Sequence, residues 1–113
     1  MPYIDIKVSA VVGAEKKDGL QKKIGEAISL LPGKTIDNTM LCITDDCSLF
    51  MRGKPLEGAF VEIRLYKASP ADNKKAFAEK LFKLLEESLG IAPGNIYLNY
   101  LEMPDWGANG TII

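Results

Sequence analysis

The sequence has no histidine. That absence removes Ser-His and Cys-His nucleophile pairs and every His-ligated zinc or non-haem iron site. Its two cysteines, Cys42 and Cys47, are too few for a four-cysteine zinc or iron–sulfur centre. Their C-x4-C spacing is not the C-x-x-C redox pattern either. The expectation is two reduced, mostly buried thiols, with no metal and no cofactor. An excess of one charge is also missing: 14 Lys plus Arg against 15 Asp plus Glu leave a net charge of −1. Nothing advertises a polyanion, so nucleic acid is not an expected partner. No apolar run approaches the roughly 18 residues that span a bilayer. Met1-Pro2-Tyr3-Ile4-Asp5 lacks the basic and apolar regions of a signal peptide. A cytoplasmic location without a membrane partner is expected, with non-classical release left open.

What is present is a chain of 113 residues, 47% apolar. A chain of this size buries roughly two-thirds of its unfolded surface, enough for one domain with one core. Residues 3–8 alternate strictly: Ile4, Ile6 and Val8 against Tyr3, Asp5 and Lys7. That is a half-buried strand, and Pro2 fits its first position. From about Lys17 to Leu31 the spacing becomes helical, with Leu20, Ile24, Ala27, Ile28 and Leu31 on one face and Pro32-Gly33 as the stop. Residues 39–44 are apolar on both faces, which predicts a central strand. Leu49-Phe50-Met51 reads as a short strand before the Gly53-Lys54-Pro55 turn.

The second half repeats the order. Ala59, Val61, Ile63 and Leu65 alternate with Phe60, Glu62, Arg64 and Tyr66. Ser69 reads as the N-cap of a helix from about Pro70 to Leu89, with Phe77, Leu81, Leu84, Leu85 and Leu89 inward and Gly90 as C-cap. Residues 95–101 form another strand, and the Gly- and Asn-rich tail reads as loop with a short terminal strand. The result is an α+β, two-layer β-α-β-β-α-β chain with two pseudo-repeats, about 1–55 and 56–113. Strand–helix–strand units give parallel pairs, and two of them build one four-stranded sheet with both helices on one face. The other face carries Tyr3, Asp5, Lys7, Glu62, Arg64, Tyr66, Tyr97, Asn99 and Leu101. Something must cover it, and a homo-oligomer is the expected answer.

With no imidazole, proton transfer near pH 7 falls to a perturbed Cys, Lys or carboxyl group, or to the amino terminus. A small second residue permits removal of Met1, which would leave Pro2 as a secondary amine on a rigid ring. An apolar pocket and a neighbouring cation both push such an amine toward its neutral, proton-accepting form. By itself, Met-Pro reads as an ordinary chain start. Arg64 is expected to pair with Glu62 or Asp5 rather than with a substrate.

Several segments together carry a resemblance. They are Met1-Pro2-x-Ile4-x-Ile6-x-Val8, Gly33-Lys34, Asp72-Asn73-Lys74, Leu89-Gly90-Ile91-x-Pro93, Ile96-Tyr97-Leu98-Asn99-Tyr100 and Gly107-x-Asn109-Gly110-Thr111. In order and over essentially the whole chain, the sequence resembles the macrophage migration inhibitory factor family of the tautomerase superfamily. The resemblance implies a homotrimer whose sheets wrap into a central barrel, with active sites at subunit interfaces. It implies a keto–enol tautomerase of small α-keto or enol acids, of the phenylpyruvate tautomerase or dopachrome isomerase type. Pro2 matches the catalytic proline, Lys34 the lysine that holds the substrate carboxylate, and Tyr97 and Asn99 the pair supplied by the neighbouring subunit. Leu65-Tyr66-Lys67 stands where the family typically has Ser-Ile-Gly, which puts Tyr66 in the pocket. Gly107-Ala108-Asn109 replaces Gly-Trp-Asn, with Trp106 next to it, and the mammalian cytokine's C-x-x-C element is absent. The alternatives are a signalling or binding trimer with a vestigial site, and a small regulatory module of similar architecture.

Overall fold

The computed structural model describes residues 1–113. Eight strands and two α-helices follow in order: β1 (Pro2–Val8), α1 (Ala14–Ala27), β2 (Met40–Thr44), β3 (Phe50–Met51), β4 (Lys54–Pro55), β5 (Ala59–Tyr66), α2 (Ala71–Leu89), β6 (Ile96–Met103), β7 (Gly107–Ala108) and β8 (Thr111–Ile112). Four of the strands make the main sheet in the order β2-β1-β5-β6. β1 is parallel to β2, β5 is parallel to β6, and β1 and β5 are antiparallel at the centre, with Ile4 opposite Ile63 and Ile6 opposite Val61. The two β-α-β units expected from the pattern are therefore joined back to back. No helix is long and apolar enough to cross a membrane.

The alternating residues do what their period requires. Ile4, Ile6, Val8, Ala59, Val61, Ile63 and Leu65 are buried under α1 and α2, which pack against each other. α1 contributes Leu20 and Ile24, and α2 contributes Phe77, Leu81, Leu84 and Leu85. Gly90 ends α2 at φ +69°, and its N–H closes on the Glu86 carbonyl at 2.9 Å. Phe77, fully buried at the centre of this layer, is the largest single contributor of apolar volume. Phe77→Ala is expected to cost about 3–5 kcal/mol, read as a lower urea midpoint at unchanged slope. A loss within experimental error of zero would refute the assigned inner face of α2.

Four local expectations change. Residues 39–44 read as central, yet β2 is an edge strand with Met40 68% exposed. Two-sided apolarity reports a demand for burial, whereas sheet order follows connection and pairing. The α1 crossover delivers β2 beside β1, and β5 takes β1's other side. Leu41 and Ile43 lie against the core, while Met40 and Cys42 lie on the open face. Ser69 is not the N-cap of α2: Pro70 holds that position with no side-chain cap. The Ser69 N–H instead donates to the Glu102 carboxylate at 2.6 Å, and Lys74 Nζ donates to the same group at 2.8 Å. A carboxylate on β6 is the stronger acceptor and fixes the helix start from outside. Helix α1 begins at Ala14, three residues before the expected Lys17, and a 3-10 turn over Ile28–Leu30 completes it. Cys42 and Cys47 are free but only half-buried.

Candidate functional site

Pro2 opens β1 at the central antiparallel pair, opposite Leu65, and is buried. It has no N–H to lose from the ladder, so the sheet accepts it there. Lys34 arrives from the other side of the first β-α-β unit. Pro32 and Gly33 sit at the middle of a turn closed by the Lys34 N–H on the Leu31 carbonyl, 3.1 Å, with Gly33 at φ +76°. Pro then Gly at these positions is the signature of a type II turn. The next segment is drawn down because Gly25 leaves room for Ile36, whose side chain lies where a Cβ on residue 25 would be. Lys34 is thereby held against the amino terminus. Burial first, then the charge of Lys34 and hydrogen bonding with it, hold the pKa of the Met1 amine below its usual value of 8.0.

Tyr66 ends β5, one residue beyond the partner of Pro2. Its ring meets Trp106 at a centroid distance of 6.4 Å and a tilt of 43°. Its hydroxyl donates to the main-chain oxygen of Ile113 at 3.2 Å, and Lys67 Nζ lies 5.1 Å from its ring centroid. The tail that reaches it is not loop with one strand but the β7–β8 hairpin, turned by Asn109 at φ +53° and Gly110 at φ +81°. Both residues having positive φ makes this a type I′ turn, for which Asn-Gly is the strongest local signal. That dipeptide is legible in the sequence; the contact of Trp106 and Ile113 with Tyr66 is not.

Tyr97 and Asn99 share one face of β6, as their spacing requires, and both are exposed on the open face. The structure does not bring them to Pro2. The β6 residue level with Pro2 across the sheet is Glu102. Asn99 is therefore about 10 Å and Tyr97 about 16 Å along the strand from that level, at 3.3 Å per residue. Within one chain Pro2, Lys34 and Tyr66 converge at one end of the sheet, and the Tyr97–Asn99 pair lies elsewhere.

The open face keeps its charges paired. Lys7 meets Asp5 at 2.7 Å, and Arg64 meets Glu62 at 3.1 Å, as its spacing predicts. Arg64 also lies over the Tyr3 ring at 5.8 Å. Arg64 stands opposite Tyr3, one residue along from Pro2, with its charge taken up by Glu62. A cleft of about 680 Å³ opens at the opposite end of the sheet, between Ser9, Leu49, Leu56, Ile91 and Asn95. Its lining includes Cys47 and Glu57 but no lysine or arginine, so no cation there would hold a substrate carboxylate. No cluster of metal-ligating side chains occurs in the chain.

The family model for macrophage migration inhibitory factor matches residues 1–113. No curated protein sequence matches the chain significantly. Among solved structures, Leishmania major MIF2 superposes with a TM-score of 0.92 at 22% identity, over 100% of this chain and 97% of that one. The macrophage migration inhibitory factor-like protein of Entamoeba histolytica gives 0.87 at 27% identity, over 99% and 98%. A fused wild-type 4-OT, described as a symmetric trimer, gives 0.85 at 16% identity, over 96% and 93%.

Proposed function

The chain belongs to the macrophage migration inhibitory factor family, and from that premise we propose that it is a homotrimeric keto–enol tautomerase of phenylpyruvate-like α-keto acids. The observation that carries this reading is the Lys34 ammonium beside the Met1 amine, next to the buried Pro2 that opens β1. Removal of Met1 makes the Pro2 nitrogen the terminal amine. Neutral in its pocket, it takes a proton from the carbon next to the keto group. The C–H electron pair forms the carbon–carbon double bond as the carbonyl π pair moves onto oxygen, and the proton held by the Pro2 nitrogen passes to that oxygen to give the enol. No oxidant is needed. Lys34 holds the substrate carboxylate, a charge-assisted contact that fixes orientation.

A trimer supplies what one chain lacks. The open face exposes Tyr97, Phe60, Leu101 and Met40, an apolar load that a neighbouring copy would cover. A fused relative of the same fold is itself a trimer. In that assembly Tyr97 and Asn99 of one subunit reach Pro2 of the next and orient the substrate. A signalling or binding trimer with a vestigial pocket is the second reading. It is favoured by the Tyr66–Trp106–Ile113 contacts, which fill space beside Pro2's partner strand.

The test is a pH–rate profile of phenylpyruvate enolisation on protein whose intact mass shows Met1 removed. The active base is the neutral amine, so kcat/KM rises with pH through the amine's pKa in the free enzyme. Burial and a neighbouring Lys34 charge both disfavour the protonated amine, so this limb is expected at lower pH in wild type than in a protein without that charge. Lys34→Met removes the charge but not the burial. Its acidic limb is expected to move part of the way back toward higher pH, with a raised KM. Retained Met1, or a limb that Lys34→Met leaves in place, counts against the proposal.

A further inference from the structure

The end of β5 carries a lysine where the backbone favours glycine. Lys67 has φ +64°, a left-handed conformation that any residue with a Cβ resists. The Lys67 N–H holds it there through the Met103 carbonyl at 3.0 Å. Strain of this kind persists where the surroundings over-determine it, and it concentrates at functional sites. Its ammonium is held over the Tyr66 ring, 5.1 Å from the centroid, which pre-positions a cation that would otherwise wander. It makes no ion pair: the Ile113 carboxylate at this end is engaged by the Tyr66 hydroxyl and does not come within salt-bridge distance of Lys67. The acids paired in the chain serve Lys7, Lys17, Lys22, Arg64, Lys74 and Lys75. Glu102, the acid on the neighbouring strand, is already engaged by Lys74 and the Ser69 N–H. Register places Tyr66 level with the residue before Pro2. Lys34, also without an ion-pair partner, lies at that same end. Two uncompensated cations and the Tyr66–Trp106 aromatic wall therefore share one end of the sheet.

We propose that Lys67 is a specificity-determining residue whose ammonium receives a second anionic group of the substrate. The preferred α-keto acids are then dianions, with an acidic group at the end remote from the keto acid. This rests on the tautomerase reading and names its substrate class. Lys34 takes the carboxylate beside the reacting carbon, the Tyr66 ring lies along the body of the molecule, and Lys67 takes the far charge. Placed at the same end of the sheet as Lys34, the second cation also attracts dianions from solution.

The experiment compares kcat/KM for phenylpyruvate and for 4-carboxyphenylpyruvate, which differ by one remote carboxylate. Lys67→Asn removes the charge and keeps a residue that tolerates φ above zero. Lys67→Arg keeps the charge. In wild type the ratio of dianion to monoanion is expected above one and to fall with added salt. Lys67→Asn should lower the ratio about five-fold, the most an exposed ion pair supplies, and Lys67→Arg should restore it. An unchanged ratio in Lys67→Asn overturns the proposal. Protein inactive on both acids would overturn the tautomerase reading instead. Titration calorimetry of 4-carboxyphenylpyruvate then still decides the role of Lys67. Tighter binding to wild type than to Lys67→Asn supports it, and equal binding sinks it.

Discussion

Pro2→Ala is expected to lower kcat/KM for phenylpyruvate enolisation about 10²-fold, the lower end of what a positioned general base contributes. The lower end applies because alanine also leaves an amino terminus at the same point of β1. What it loses is the ring. Proline's nitrogen is locked into the pyrrolidine, so its lone pair has one direction fixed by the strand; a primary amine on alanine rotates and must be ordered at each turnover. The buried start of β1 and the charge of Lys34 remain after the substitution. The loss should therefore appear in kcat more than in KM. Thermal melting on the same samples guards against a trivial cause, since Pro2 is buried against the core. Equal rates in the two proteins would remove Pro2 from the chemistry and leave the family's trimer without the proposed activity.

The lack of histidine makes the amino terminus a candidate for proton transfer, but only as one of several. Periodicity is decisive elsewhere. The period of two in β1 and β5 and the helical spacing of Leu20–Ile24–Ile28 and Phe77–Leu81–Leu84 each name the residues that line the core. It fails at β2, because apolarity on both faces says that a strand is buried without saying by what. Pairing with β1 on one side and exposure of Met40 on the other leave that demand unmet inside the chain. Ser69 fails for a related reason. A local N-cap pattern competes with any stronger acceptor brought in by tertiary structure, and Glu102 from β6 is such an acceptor. The candidate site is legible in pieces. Tyr97 and Asn99 on one face follow from strand geometry, but their distance from Pro2 follows from register, which composition does not encode. Lys34 needs the turn at Pro32-Gly33 and the notch at Gly25 to reach the amino terminus. Lys67 over Tyr66 needs the αL twist at the end of β5.

That separation of Pro2 from Tyr97 and Asn99 makes the shared site directly testable by mixing two inactive proteins. One carries Pro2→Ala. The other carries Tyr97→Phe with Asn99→Ala, which removes two polar contacts to the substrate and is expected to cost about 10²-fold on its own. Equal amounts are unfolded together, refolded, and checked for trimers by light scattering. A ring of three chains uses a head-to-tail contact, so every site takes Pro2 from one chain and Tyr97 and Asn99 from the next. In random trimers half of the base donors are intact, and half of their neighbours are intact. About one quarter of all sites are then fully equipped, and activity should return to about a quarter of wild type. A site contained within one chain gives the opposite result. Each chain then carries its own lesion into its own site, no intact site can form, and mixing restores nothing. Recovery near a quarter also excludes a merely structural role for Tyr97 and Asn99, because the parent carrying those substitutions must fold and assemble to rescue its partner.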